Sequence, residues 1–153
     1  MNAASAGSHG KFSHGITLLE LLVVMLLLGL LLLLVMPAYS EQARKARRVV
    51  ATAELLQLAA RQEHFFVNHR QYADDLTALG YSLPAAVGIG AQGQEVTAGA
   101  LYEISLRDEG DYRFRALARP VGQQARDERC GTLGIDSDGV RTASGPGGLR
   151  ECW

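Results

Sequence analysis

The sequence predicts an α+β protein in which a long N-terminal helix packs on a small antiparallel sheet. The helix is predicted because an aliphatic run over residues 16–36 continues into a helical pattern that contains neither glycine nor proline from Ala38 to about His69. The sheet is predicted because short segments of alternating apolar and polar residues, separated by turn signals, occupy the C-terminal half. A chain of 153 residues with 48% apolar content can bury the core of one ordinary domain.

Composition and charge exclude several classes of protein. The apolar content argues against disorder, and 15 basic against 16 acidic residues give a net charge of -1, which argues against nucleic acid as a partner. The chain has no GxSxG, HExxH, CxxC or GxxxxGK motif, and residues 88–93 match GxGxxG without a convincing helical pattern after them. We therefore expect no enzyme and assign no catalytic residue, no cofactor and no metal ligand.

The aliphatic run is long enough to cross a membrane as one helix. At about 1.5 Å per residue, residues 16–36 extend roughly 30 Å, the thickness of the hydrocarbon core of a bilayer. A secretory signal peptide has a shorter apolar region, about 7 to 15 residues. We assign residues 16–37 to a membrane-spanning helix. Glu20 is the one charged residue in the run, and an intramembrane carboxylate indicates a function unless it lies at the headgroups.

A short polar leader, residues 1–15, precedes the run and contains Lys11. The junction reads Gly15-Ile16-Thr17-Leu18-Leu19-Glu20. This junction resembles the class III leader of type IV pilins and related pseudopilins. The resemblance implies that prepilin peptidase cuts after Gly15 and that Glu20 becomes the fifth mature residue. Ile16 stands where the family usually has phenylalanine.

The same resemblance implies a role for the mature end in filament assembly. The amine of Ile16 is N-methylated after cleavage, and Glu20 compensates the amine of a neighbouring subunit. A carboxylate in a low-dielectric environment is disfavoured unless it finds a counter-ion, so Glu20 favours docking in one register. Gly29 has a weak helix propensity and Pro37 lacks a backbone donor, so the helix is expected to bend between these two family positions.

Two signals disagree on the side of the membrane where the remainder lies. Lys11 is the only lysine or arginine before the run, whereas four follow it within residues 44–48, so positive charge alone places the C-terminal side in the cytoplasm. The leader resemblance implies the reverse, and the two cysteines favour an oxidising compartment. We therefore expect a single-pass inner-membrane protein whose head, residues 38–153, is periplasmic before assembly and extracellular in the pilus.

The second half of the long helix is predicted to be amphipathic. Five apolar residues recur at spacings of three and four and are expected to pack on the head: Ala46, Val49, Ala53, Leu56 and Ala60. The basic cluster at residues 44–48 is expected at the membrane interface, with Glu41 paired to Lys45. His64 and His69 are five residues apart, which does not place both on one metal-facing side of a helix.

The head is expected to contain short strands. The first two are Leu101–Leu106 and Tyr112–Arg119, joined by a turn at residues 108–110, and a third lies near Thr132–Asp136. Residues 88–99 are rich in glycine and are expected to form a flexible surface loop. Asp136-Ser137-Asp138-Gly139 predicts a tight turn. These four residues also resemble a fragment of a calcium loop, but a third ligand and the terminal glutamate are missing, so calcium binding stays open.

Cys130 and Cys152 are the only cysteines in the chain. An even pair in an exported domain indicates a disulfide, with a contribution of about 3 kcal/mol from loop entropy, and two free thiols are the alternative. The ending Glu151-Cys152-Trp153, together with residues 131–143, resembles the C-terminal disulfide region of PilE-like minor pilins.

These patterns together resemble the type IV pilin family, and most of all a PilE-type minor pilin. The resemblance implies the pilin fold and a subunit that is built into a type IV pilus, the filament of adhesion and twitching motility. The implied partners are other pilin subunits, prepilin peptidase, the inner-membrane assembly platform and membrane lipid. Two alternatives stay open, a type II secretion pseudopilin and, with less support, a DNA-capturing competence pilin.

Overall fold

The computed structural model describes residues 17–110 and 113–153, and the side chains of residues 34–38 are outside the described part. The predicted leader, residues 1–15, and the predicted first mature residue, Ile16, also lie outside it. Cleavage after Gly15 and methylation of Ile16 therefore stay predictions.

The first helix, α1, comprises Leu18–His69. Its first turn is capped by Thr17, whose Oγ1 accepts a hydrogen bond from the backbone N–H of Glu20 at 3.2 Å. Threonine followed three residues later by glutamate is a sequence signature of a helix N-terminus. The helix ends where Arg70 adopts a φ of 60°, because a left-handed residue directs the chain out of the helix.

The chain divides into two units, of which the first ends at Tyr39 and the second comprises Ser40–Trp153. The first unit contains the start of α1, whose large aliphatic side chains from Leu18 to Leu33 are between 48% and 80% exposed. Within the described residues, no helix combines the length and the apolar character that a membrane crossing requires. The predicted spanning segment, residues 16–37, lies only partly within those residues.

The second unit contains a five-stranded antiparallel sheet in the order β1-β2-β3-β4-β5. The strands are β1 Ala86–Ile89, β2 Tyr102–Gly110, β3 Arg113–Pro120, β4 Leu133–Asp136 and β5 Arg141–Ala143. Two short 3-10 helices, Thr77–Leu79 and Gly122–Arg126, and a C-terminal helix, α2 Gly148–Cys152, complete the unit. The α+β architecture predicted from the sequence is confirmed.

The predicted loop at residues 88–99 was wrong at its start, because Gly88 and Ile89 belong to β1. The residues after Ile89 fold back along this edge, where the backbone N–H of Val96 donates to the carbonyl oxygen of Gly88 at 2.8 Å. A Cβ added at Gly88 would lie only 2.7 Å from the Val96 carbonyl oxygen, so glycine permits this close approach. The GxGxxG match therefore marks a strand edge followed by a turn.

The hairpin between β2 and β3 also differs from its prediction. Residues 108–110 belong to the end of β2, where the pairing is irregular between Asp108 and Gly110, and the strand does not turn there. Tyr112, predicted as the start of the next strand, lies outside the described residues. The ladder continues beyond the predicted turn because cross-strand hydrogen bonds stabilise turn-forming residues in extended conformation.

The side of α1 that packs on the head was predicted wrongly. All five residues of the predicted stripe, residues 46–60, are exposed, including Val49 at 66% and Leu56 at 43%. The buried side instead carries Ala51, Leu55 and Leu58, each 0% exposed. The prediction failed because this helix is apolar on two sides and its buried side also contains polar residues, which the periodicity rule assigns to water.

Candidate assembly site and head surfaces

The N-terminal part of α1 presents Glu20 on an otherwise aliphatic surface. Glu20 is the only charged residue from Leu18 to Leu33, its side chain is exposed, and no described residue forms an ion pair with it. Gly29 faces open space, since a Cβ added there would have no neighbour within 4 Å. Pro37 lies within the bounds of α1, but its side chain is outside the described part of the structure. The predicted bend between Gly29 and Pro37 therefore stays a prediction.

The arginines of the basic cluster at residues 44–48 form hydrogen bonds and ion pairs with other residues of the second unit. Arg48 is 3% exposed and donates to both carboxylate oxygens of Asp127, through Nε at 2.6 Å and Nη2 at 2.8 Å. Arg44 and Arg48 both contact Glu41, at 2.8 and 3.3 Å, so the predicted pair of Glu41 with Lys45 was wrong. Glu41 pairs with arginine and not with Lys45 because the planar guanidinium group can donate to two acceptors at once.

Two groups of this cluster, Arg48 and Glu41, have shifted pKa values. The hydrogen bond to Asp127 raises the pKa of the Arg48 guanidinium above its ordinary value. The hydrogen bond from Arg44 lowers the pKa of Glu41. Each of these two shifts favours the charged form of its group.

The buried pair continues into the 3-10 helix through Gln124. The Nε2 of this fully buried side chain donates to Asp127 at 3.0 Å and to the Tyr102 hydroxyl at 3.1 Å. Burial raises the pKa of Tyr102 to about 12. No local sequence pattern points to Asp127 or Gln124, because they lie about 80 residues from their partners on α1.

Strands β2 and β3 carry four arginines on the face of the sheet that points away from the core, and we call this surface the arginine face. It consists of Arg107, Arg113, Arg115 and Arg119. The three arginines of β3 alternate with apolar residues in the sequence, which is typical of a strand with one face in water. The sequence could not show that Arg107 and Arg115 lie directly opposite each other.

Two of the four arginines of this face are paired with carboxylates. Arg115 contacts Glu109 at 3.1 Å, and Arg119 contacts Glu103 at 2.9 Å. Arg107 and Arg113 have no ion-pair partner among the residues that the structure describes. The arginine face therefore retains the positive charge of Arg107 and Arg113, which no carboxylate of the described residues balances.

The C-terminus is attached to the sheet by covalent and polar contacts. Cys130 and Cys152 form the predicted disulfide, with a Cα–Cα distance of 5.5 Å. Arg129 and Glu151 form a two-point ion pair beside it, and the hydrogen bond from Arg129 lowers the pKa of Glu151. The indole of Trp153 donates to the Thr142 carbonyl oxygen at 2.9 Å.

The predicted turn at residues 136–139 connects β4 to β5. Asp136 Oδ1 accepts hydrogen bonds from the backbone N–H groups of Asp138 and Val140, at 3.0 and 2.9 Å. The Asp136 side chain therefore stabilises the turn, because it accepts hydrogen bonds from two backbone N–H groups of the turn.

Two parts of the chain match known protein families. Residues 10–36 match the prokaryotic N-terminal methylation motif, and residues 37–134 match the family model described as type IV minor pilin ComP, DNA uptake sequence receptor. One solved structure, a high-resolution structure of a type IV pilin from Shewanella oneidensis, has 23% sequence identity and a TM-score of 0.49, covering 72% of this chain and 97% of that chain. No curated protein matches the chain.

The methylation motif and the family match define the protein as a type IV minor pilin. The match over residues 37–134 covers well over half of the chain, so the chain belongs to the family of type IV minor pilin ComP. This family consists of structural subunits, and it implies processing by prepilin peptidase and assembly with other pilins. The predicted minor pilin is confirmed at this level.

Proposed function

We propose that the chain is made as a precursor, cut after Gly15 by prepilin peptidase and methylated on Ile16. Residues 16–37 then hold it in the inner membrane with the head, residues 38–153, in the periplasm, until the assembly platform builds it into a pilus. The methylation-motif match over residues 10–36 supports the processing steps. On this proposal the chain acts by assembly, without catalytic turnover.

The observation that carries the proposal is the isolation of Glu20. Its exposed carboxylate is surrounded along α1 by exposed leucine, valine and methionine side chains. Covering those side chains with lipid or other helices removes water from Glu20 as well, and an unpaired carboxylate there is costly. The amine of a neighbouring mature subunit would supply the counter-ion.

Replacement of Glu20 tests this assembly role. We expect Glu20→Ala to insert into membranes normally but to be strongly depleted from sheared pili, as measured by immunoblotting of the pilus and membrane fractions. Leu22→Ala is the matched control, because it shortens an exposed side chain on the same segment without changing charge. Equal incorporation of both variants contradicts the role of Glu20.

Mass spectrometry tests the processing step separately. The mature chain is expected to begin with an N-methylated Ile16. Native protein that begins at Met1 contradicts the cleavage and, with it, the exposed amine that Glu20 is proposed to meet.

A second function, DNA binding by the head, is favoured by one specific observation. The arginine face concentrates positive charge on a chain whose net charge is -1. The family description names a DNA uptake sequence receptor, which supports the proposal for this chain. Arginine binds phosphate oxygens through its planar fork, so a duplex backbone would neutralise Arg107 and Arg113, which have no ion-pair partner among the described residues.

The salt dependence of binding tests DNA contact. For the full chain in detergent micelles, Arg107→Ala and Arg113→Ala are each expected to weaken duplex binding and to reduce the slope of log K against log salt by about one. Arg150→Ala, exposed on α2, is the control and should leave the slope unchanged. Absence of salt-sensitive binding by the unmodified chain rules out this second function and leaves the assembly proposal intact.

A further inference from the structure

A cleft separates α1 from the 3-10 helix Thr77–Leu79. Its volume is about 660 Å³, which is within the range of small-molecule sites. The polar lining groups are Gln57, Arg61, His64, Asn68 and His69. Among the described residues, no carboxylate lines the cleft, so its ionisable groups carry positive charge or none.

Two contacts of its guanidinium hold Arg61 in position. Its Nη1 donates to the Leu79 carbonyl oxygen at 3.0 Å, and its Cζ lies 4.7 Å from the centroid of the Tyr81 ring. Its Nε and Nη2 have no partner among the described residues. The side chain therefore offers donors in a fixed geometry, which reduces the entropy lost when an anion binds.

The other polar groups of the cleft retain hydrogen-bonding capacity. Gln57 and His64 are exposed and form no side-chain hydrogen bond with the described residues. Asn68 uses its amide nitrogen on the His64 carbonyl oxygen at 2.9 Å, which leaves its Oδ1 as a free acceptor. The cleft thus offers amide donors and acceptors together with a cation.

An aromatic stack completes the lining. The rings of Phe65 and His69 lie 4.0 Å apart and are inclined by 15°. Phe65 is half-buried whereas His69 is exposed, so the stack has one outer ring face. The opposite wall, at Ala78 and Leu79, carries only small or aliphatic side chains, so it offers no second aromatic ring for a nucleobase.

We propose that this cleft binds an acidic sugar, a pyranose ring that carries a carboxylate. The carboxylate accepts hydrogen bonds from Arg61, vicinal hydroxyl groups bond to the Gln57 and Asn68 amides, and the C–H face of the ring lies on the aromatic stack. This binding is independent of filament assembly and of the arginine face.

Ligand-observed NMR on the full chain in detergent micelles tests the proposal, with glucuronate, glucose and inorganic phosphate as probes. We expect saturation transfer to glucuronate, and at least about tenfold weaker binding of glucose, which lacks the carboxylate. Arg61→Lys keeps the charge but loses the planar fork and should weaken glucuronate binding about tenfold while leaving glucose binding unchanged.

Two variants at exposed positions distinguish a direct loss of ligand binding from a loss caused by unfolding. Gln57→Ala removes a side chain without internal hydrogen bonds and should weaken glucuronate and glucose alike, by about threefold to tenfold. Gln42→Ala, also exposed on α1, is the matched control and should change neither. The proposal is overturned if glucuronate does not bind, if glucose or phosphate binds as tightly as glucuronate, or if Gln57→Ala behaves like Gln42→Ala.

Discussion

Arg48 places a guanidinium that is 3% exposed in contact with the carboxylates of Asp127 and Glu41. Removing a charge from water costs several kcal/mol, and here two hydrogen bonds to Asp127 offset that cost. The pair joins α1 to the segment after the second 3-10 helix. Because both groups are buried, it fixes the rotation of this part of α1 against the head.

Breaking this pair should destabilise the head strongly. We expect Asp127→Asn to lower the free energy of unfolding by about 3 to 5 kcal/mol, because it leaves the Arg48 charge buried without its main partner. Urea unfolding of the full chain in micelles, followed by tryptophan fluorescence, measures the loss. Glu103→Gln breaks the exposed pair with Arg119 and should cost less than about 1 kcal/mol. Equal losses would show that the burial of Arg48 does not control the effect.

At the scale of elements, α1 is apolar on two sides of its second half, and only one is covered by the head. The covered side also contains Glu54 and Gln62, and both find partners. Glu54 accepts a hydrogen bond from the Tyr81 hydroxyl at 2.7 Å, and Gln62 exchanges two hydrogen bonds with the backbone of Ala73. Burial raises the pKa of Tyr81, which keeps that hydroxyl protonated as a donor. Polar residues on this side therefore determine where the helix docks.

Two adjacent leucines distinguish the sides of α1. Leu55 is 0% exposed and Leu56 is 43% exposed. We expect Leu55→Ala to lower the free energy of unfolding by about 2 to 5 kcal/mol, because it leaves a cavity, and Leu56→Ala to lower it by less than about 1 kcal/mol. The same unfolding assay measures both. A larger loss for Leu56→Ala than for Leu55→Ala would contradict the assignment of Leu55 to the buried side of α1.

At the scale of the whole molecule, a disulfide bond attaches the C-terminal segment to the rest of the head. The segment after Cys130 contains two short strands and a short helix. Its chain passes so close to residue 129 that a Cβ at Gly145 would clash with the Arg129 carbonyl oxygen. The disulfide to Cys152 closes this segment. It limits the conformations that the unfolded chain can adopt.

Removing the disulfide should weaken the head without changing its fold. We expect the double variant Cys130→Ser, Cys152→Ser to lose about 3 kcal/mol in the free energy of unfolding. Arg150→Ser, an exposed change between the cysteines in sequence, is the control and should stay near the unmodified value. An unchanged stability of the double variant would show that the sheet and α2 hold the C-terminus without the bond.

How far the sequence predicts this protein depends on the distance over which each feature is encoded. The long helix, three of the five strands and the Asp136 turn were predicted because their signals lie within a few residues. The buried side of α1 was missed because it depends on Asp127 and Tyr81, which are distant in the chain. The arginine face was missed because strand register places Arg107 opposite Arg115.

The sequence by itself determined the methylation-type junction, the aliphatic helix with one carboxylate at Glu20, and the pair of cysteines, since each is a local pattern of residue types. Only the tertiary structure decided which side of α1 meets the sheet, which arginine is buried and which surface arginines have no ion-pair partner among the described residues. The physical reason is that burial and charge pairing are set by contacts between distant segments. A periodic pattern specifies that a helix has an apolar side, but the partner selects which side is covered.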